Sequence, residues 1–363
     1  MLREGSTMKR RTLALLLCCA VLAGLLCACE TEEPQSTPSA EPSAHQGEDP
    51  YEKLGYFTMT IAHAQPQGNP RSVSLAQFAQ DMSAATHGHV TVEVVGDSQL
   101  GSEREMLEQC MAGTIQGMRG GQYDFSPRLM MFTLPFLTAN RAQITALLHS
   151  DLAQSVCDEA GAATGTVILD LCDAGGYRQM SNNVRPIKSP EDLKGLKMRT
   201  NTMETTIMAF EAMGAETISI PYSDLYISLD TNVADGQDNP WINVDNMRFY
   251  EVQKYFTEVN YQFHVDPFYV NAQWFDSLPT QFQEILRTCA DDMGAYNDRL
   301  IDEGTQTARD AIEASDAKLY IPTDQELDAF RAAMQPVYQQ CIAQDICTAQ
   351  ELQTMQDIVA QAK

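Results

Sequence analysis

Arg185-Pro186-Ile187-Lys188-Ser189-Pro190-Glu191-Asp192-Leu193-Lys194-Gly195-Leu196-Lys197-Met198-Arg199 is the stretch on which the fold turns. Ser189 supplies a capping hydroxyl and Pro190 suits the first helical position. Glu191 and Asp192 set negative charge against the free amides of a first turn. After Gly195, residues 196–199 read as a strand, 202–213 as a helix, 216–220 as a strand and 223–229 as a helix. Upstream the same alternation holds. Residues 57–62 read as a strand, 73–86 as an amphipathic helix, 89–95 as a strand, 102–112 as a helix stopped by Gly113, and 166–171 as a short buried strand. The last hundred residues read as mainly helical, and no internal repeat is visible. Alternation of this kind predicts α/β domains with helices on both faces of a sheet. Ligands in that class sit at loops beyond the strand ends or in a cleft between domains.

The amino terminus carries a different signal. Lys9-Arg10-Arg11 precedes an unbroken apolar run, residues 13–26. That run is short of the roughly 20 residues that cross a bilayer and has the length of a signal-peptide core. Leu26-Cys27-Ala28-Cys29 follows and resembles a bacterial lipobox, in which small Ala28 precedes the cut and Cys29 takes a diacylglycerol. Cys27 fits worse, because bulky Leu26 precedes it. A simple secretory signal and an uncleaved anchor are the alternatives, and Met8 competes with Met1 as the start. Residues 30–50 hold four prolines among Ser, Thr and Glu, with no Lys, Arg, Phe, Tyr or Trp. Too little apolar surface is available there to offset chain entropy, so the segment reads as a disordered spacer reaching on the order of 25 Å. The expected plan is a signal peptide over 1–28, a spacer over 29–55, then a soluble body long enough for two domains.

Composition excludes several functions. The formal charge is −25, and loss of residues 1–28, which carry Arg3, Lys9, Arg10 and Arg11 against Glu4, makes it −28. Nucleic acid wants a basic surface, so it is not an expected partner. GxSxG, HExxH and GxxxxGK[ST] are absent, as is a GxGxxG following a strand, and no Cys/His cluster has zinc spacing; no enzyme activity and no cofactor are expected. Gly117-Met118-Arg119-Gly120-Gly121 lacks the Lys-Ser/Thr of a phosphate loop and reads as a strand end where backbone passes close to something. His87-Gly88-His89 reads as a solvated turn. Cys110, Cys157, Cys172, Cys289, Cys341 and Cys347 either pair outside the cell or bury as small hydrophobes. Basic residues are the informative minority. Arg178, Arg185, Lys188, Lys194, Lys197 and Arg199 crowd into 22 of the positions of an acidic chain. Arg199, at a predicted strand end, has the planar fork that suits a carboxylate.

Together with Gly176-Tyr177-Arg178, the opening stretch resembles the signature of substrate-binding proteins of tripartite ATP-independent periplasmic (TRAP) transporters, the DctP-like family. Gln99-Leu100-Gly101, Leu134-Pro135-Phe136, Val233-Ala234-Asp235-Gly236-Gln237-Asp238-Asn239-Pro240 and Tyr250-Glu251-Val252-Gln253-Lys254 match in the same order, and the resemblance covers about 57–340. It implies a two-domain, periplasmic-binding-protein-like clamp (type II-like) with one long helix shared across the domains. Chain crossings fall near Gly175, His264 and Gly304, giving domain I as 56–175 plus 265–304 and domain II as 176–264 plus 305–363. It implies Arg199 as the carboxylate anchor, with Arg178, Thr202, Tyr222 and Asn239 around it; Trp241 stacks on the ligand or merely packs. Gly121 stands near where some sugar-acid binders carry a glutamate, which argues against sialic acid. The function implied is a lipid-anchored receptor on the outer face of the cell membrane that passes a small organic acid to a membrane permease. A ligand-sensing partner of a signalling receptor is the alternative.

Overall fold

The computed structural model describes residues 49–362. Cys29, the signal peptide and the spacer as far as residue 48 lie outside the described residues. Residues 49–55, expected as spacer, already belong to the body. Tyr51 meets Phe282 edge-on at 5.1 Å, and Asp49 bonds His89 Nε2 at 2.6 Å. His89 is therefore buried, not solvated: its Nδ1 reaches the Gly55 carbonyl and Tyr56 stacks on its ring.

The chain opens with β1 (Phe57–Ala62), α1 (Pro70–Ala85), β2 (Val90–Val95), α2 (Glu103–Met111) and β3 (Gly117–Arg119). Asn69 caps α1 with Pro70 at its first position, and Ser102 and Glu105 form a capping box on α2. α3 (Arg141–Leu148) and α4 (Asp151–Thr164) lead into β4 (Thr166–Asn182), which has 17 residues where the sequence predicts six. Gly175 and Gly176 hide the continuation. Both hold positive φ beside an irregularity in the pairing, so the strand bends there without ending. The expected helix after Ser189 is a single 3-10 turn, Pro190–Leu193. Its Ser189–Asp192 capping box is present, but Gly195 at φ +71° turns the chain out at once.

β5 (Lys197–Thr200), α5 (Glu204–Ala212), β6 (Glu216–Ser219), α6 (Leu225–Asp230), β7 (Gly236–Pro240) and α7 (Trp241–Asn246) follow. Then come β8 (Tyr255–Thr257), β9 (Phe263–Asn271), α8 (Ala272–Ser277), the 34-residue α9 (Thr280–Glu313), β10 (Lys318–Tyr320), α10 (Asp324–Ala343) and α11 (Ala349–Gln361). Strand order is β2-β1-β3-β9-β4-β7-β5-β6, with β8 also on β4 and β10 on β8. The early part of β4 pairs antiparallel with β9. From Arg178 onward it pairs antiparallel with β7 and β8. One strand thus belongs to both halves of the sheet. α9 does the same on the outside. Phe282, Leu286 and Met293 enter a core with Phe78 and Phe268, while Ile301, Ala308 and Ile312 enter another with Trp241, Phe249 and Phe256. The molecule is a two-domain α/β clamp bridged by a long helix. Its six described cysteines are all buried and free, so burial, not pairing, is their state.

Candidate binding site

Between the two halves lies a cavity of about 180 Å³. An apolar cavity of about 150 Å³ takes up benzene, so this volume suits a small molecule and not a polymer. Gln65, Arg71, Glu103 and Asp266 wall it from one half; Arg178, Arg199, Thr202, Tyr222 and Asn239 wall it from the other.

Arg199 is set by β5, which runs parallel between β6 and β7, placing Arg199 opposite Ile218 and Gln237. It is 2% exposed. Its Nε donates to the Ile220 carbonyl at 2.8 Å, and among the described residues no carboxylate stands within ion-pair distance of it. Burial, and then the neighbouring Arg178 cation, pull its pKa down to about 10. A buried cation without a counter-ion is costly. The remaining N–H groups of its fork are left for an anion in the cavity.

Arg178 is employed differently. Its Nε ion-pairs with Asp238, its Nη2 donates to the Asp238 carbonyl at 2.6 Å, and its Nη1 donates to His264 Nδ1 at 2.8 Å. A guanidinium only donates, so His264 Nδ1 must accept and the ring proton sits on Nε2. Burial, then Arg178, push the His264 pKa well down, so the ring is neutral. Arg178 therefore shapes the wall, with its hydrogen bonds going to the protein.

Arg71, Glu103 and Asp266 form a second charged group that the sequence does not announce. Arg71 donates to Glu103 at 2.8 Å and ion-pairs with Asp266. Burial raises the Glu103 pKa, with Arg71 opposing. Asn69-Pro70-Arg71 is legible as a helix start, but nothing in its spacing shows that β9 brings Asp266 to it.

Of the residues the sequence singles out, Arg199, Arg178, Thr202, Tyr222 and Asn239 all line the cavity. Trp241 does not. It is 3% exposed in the core, with its ring 6.2 Å from that of Phe256, so the packing reading holds and stacking on a ligand does not. Gly120 and Gly121 are where backbone passes close to side chains. A Cβ at Gly120 would meet Glu103 at 2.6 Å, and one at Gly121 would meet His264 Nε2 at 2.7 Å.

Residues 61–345 match the family described as bacterial extracellular solute-binding protein, family 7 (DctP). The chain is 29% identical over 287 residues to the 2,3-diketo-L-gulonate-binding periplasmic protein YiaO of Escherichia coli, covering 77% of this chain and 85% of that protein. It is 34% identical over 214 residues to the uncharacterized protein y4mM of Sinorhizobium fredii, where the match takes in 58% of this chain and only 39% of that longer protein. Among solved structures it is similar to a TRAP periplasmic solute-binding protein of Desulfovibrio salexigens with bound orotic acid. The TM-score is 0.79 at 25% identity, over 84% of this chain and 99% of that one.

Proposed function

Since the chain belongs to family 7 of the bacterial extracellular solute-binding proteins, we propose that it is the receptor of a tripartite ATP-independent transporter, capturing a small organic acid outside the cytoplasm and delivering it to the membrane permease. The observation that carries this reading is Arg199, a buried guanidinium with no carboxylate partner among the described residues, facing a cavity of small-molecule size. Thr202, Tyr222 and Asn239 share its wall and serve as further contacts, while Arg178 holds the wall in place. The site binds without turnover in this reading. Its histidine is neutral with Nδ1 engaged by Arg178, and Glu103 and Asp266 both pair with Arg71, so the charged groups of the wall are committed to structure. We place the lobe boundaries at the crossings near Gly175, His264 and Gly304, where β4, β9 and α9 pass between the halves. Relatives named as binding proteins for organic acids support transport over the signalling alternative.

Native mass spectrometry of the protein purified from its own cells tests the reading. A co-purified organic acid that is absent from Arg199→Ala is expected; a clean, acid-free wild type that no carboxylate stabilises against heat would reject it. We further propose that Cys29 carries the lipid that tethers the body to the outer face of the membrane. Support comes from the small Ala28 before it and from a following spacer with no membrane affinity of its own. Cys29→Ser should release the protein to the medium. A Ser variant that is processed and still sediments with membranes would show another anchor.

A further inference from the structure

A histidine far from the cavity is required by its contacts to carry two protons. His89 is 1% exposed. Its Nδ1 lies 2.7 Å from the Gly55 carbonyl, and its Nε2 lies 2.6 Å from Asp49 Oδ2. A carbonyl and a carboxylate only accept, so both ring nitrogens must donate. A neutral imidazole has a single N–H and would set a lone pair against one of those oxygens. The ring that fits is the imidazolium, paired with Asp49 by a charge-assisted bond. Tyr56 agrees with this. Its side chain is exposed, yet its ring stacks on His89 at 4.3 Å and 6°, the face that an aromatic ring offers to a cation.

Both oxygens belong to the segment by which the chain enters the body. Asp49 Oδ1 accepts from the Tyr51 amide at 3.1 Å, and the Tyr51 ring stands edge-on to His89 and Phe282. The surroundings hold few other charges. Asp49 is the one carboxylate within ion-pair distance of His89 among the described residues. His87 Nδ1 is 3.5 Å from Asp49 Oδ1, but its side chain is mostly in solvent. Asp81 of α1 and Glu284 and Asp292 of α9 line the groove beside Tyr51. Asp49, and then the Gly55 carbonyl, hold the His89 pKa above its ordinary value, with burial opposing. A contact that depends on a raised pKa is complete at low pH and is lost as the pH climbs through that value. The position is also telling. β1 and β2 run parallel from Phe57 and Val90, and Ala64, Gln65 and Ser98 of the cavity lie past their far ends. His89 therefore sits at the opposite end of these strands from the cavity.

We infer that doubly protonated His89, held between Asp49 and Gly55, clasps residues 49–56 to the end of β1 and β2 remote from the cavity, so that the upstream chain leaves the body at one fixed point while the proton is bound and swings free when it is lost. This rests on neither the ligand nor the transport reading.

Trypsin reads the clasp in the whole mature protein, because Lys53 is the one Lys or Arg between residues 30 and 70. Cleavage after Lys53 is divided, at each pH, by that of a free peptide of residues 49–57. The ratio should be low at pH 6 and rise towards pH 9, by up to about tenfold per pH unit once the proton is leaving. His89→Gln cannot donate from both positions and should be cut fast throughout the range. Asp49→Asn, at a partly exposed side chain, should move the rise to lower pH, while exposed His87→Gln should keep the wild-type profile. Nitrogen NMR at pH 6 should show protons on both nitrogens of the ring whose signal His89→Gln removes. A ratio that stays flat from pH 6 to 9, or a His89 ring with one bare nitrogen at pH 6, overturns the inference. The wild-type profile and Asp49→Asn decide the matter even if His89→Gln fails to fold.

Discussion

Removing the Arg199 guanidinium should leave the fold standing and the cavity unable to hold its acid. The anion would then be buried without its partner, at about 3–5 kcal/mol, or on the order of a hundredfold to a few thousandfold in affinity. Arg199→Lys should recover only part, since an ammonium cannot form two parallel bonds. Arg178→Ala should do the reverse. It strands buried Asp238 and unties His264, so melting temperature falls first and affinity follows. Titration and a melt on each variant separate the two; an Arg199→Ala that binds normally sinks the anchor role. Acid should also weaken the fold through His63. Burial, with Arg71 and then Arg119 beside it, lowers its pKa to about 3, against about 6.5 in the unfolded chain. The unfolded state therefore binds the extra proton between those values. Stability is full above pH 6.5 and falls by about 1.4 kcal/mol per pH unit below it. Melts at pH 7, 6 and 5 check this, and His63→Gln should flatten the slope. Arg199 and Arg178 were legible in the sequence because basic residues crowd one segment of an acidic chain. Arg71, Glu103 and Asp266 were not, because their partners are supplied by tertiary pairing alone.

At the scale of elements, β4 carries the molecule's division. Asp173 Oδ1 accepts from the Gly175 and Gly176 amides at 2.8 and 2.6 Å, and Arg141 pairs with its other oxygen at 2.8 Å, so the bend is fastened and not loose. Gly175 sits at φ +126°, where a Cβ would also press on Asn243 and Pro240 at 3.3 Å. Gly175→Ala should therefore cost about 1–3 kcal/mol. Denaturant unfolding reads this, and an unchanged midpoint would mean that the bend tolerates a side chain. The short parallel strands and their helices were legible because hydrophobic period and capping residues agree, as at Ser102 and Glu105. β9 was not singled out. It is buried along its whole length with His264, Asp266 and Pro267 inside it, so neither alternation nor an apolar run marks it. The turn at Pro190–Leu193 misled in the opposite sense: capping chemistry starts a helix, but the chain beyond it decides whether one continues.

For the whole molecule, two lobes joined by β4, β9 and α9 should hinge about the ligand. Small-angle scattering at saturating acid should show a smaller radius of gyration than without it, and an identical profile would argue for a rigid, preformed cavity. Asn69 helps to set the resting geometry, since its amide, at the start of α1, donates to Asn243 and Asn246 of α7 at 3.2 and 2.8 Å. The six buried thiols have a separate consequence. None is tied to another, so folding requires no oxidant and reducing agents leave the native state untouched. Their burial also raises thiol pKa values, Cys110 and Cys157 to about 12 and Cys289 to about 11, which suppresses the nucleophilic thiolate. A thiol-reactive dye meets almost nothing to label until a lobe opens. With Cys172 and Cys289 in one hydrophobic core and Cys110, Cys341 and Cys347 in another, labelling rates resolved by peptide would time the unfolding of each core separately, from reporters the chain already carries.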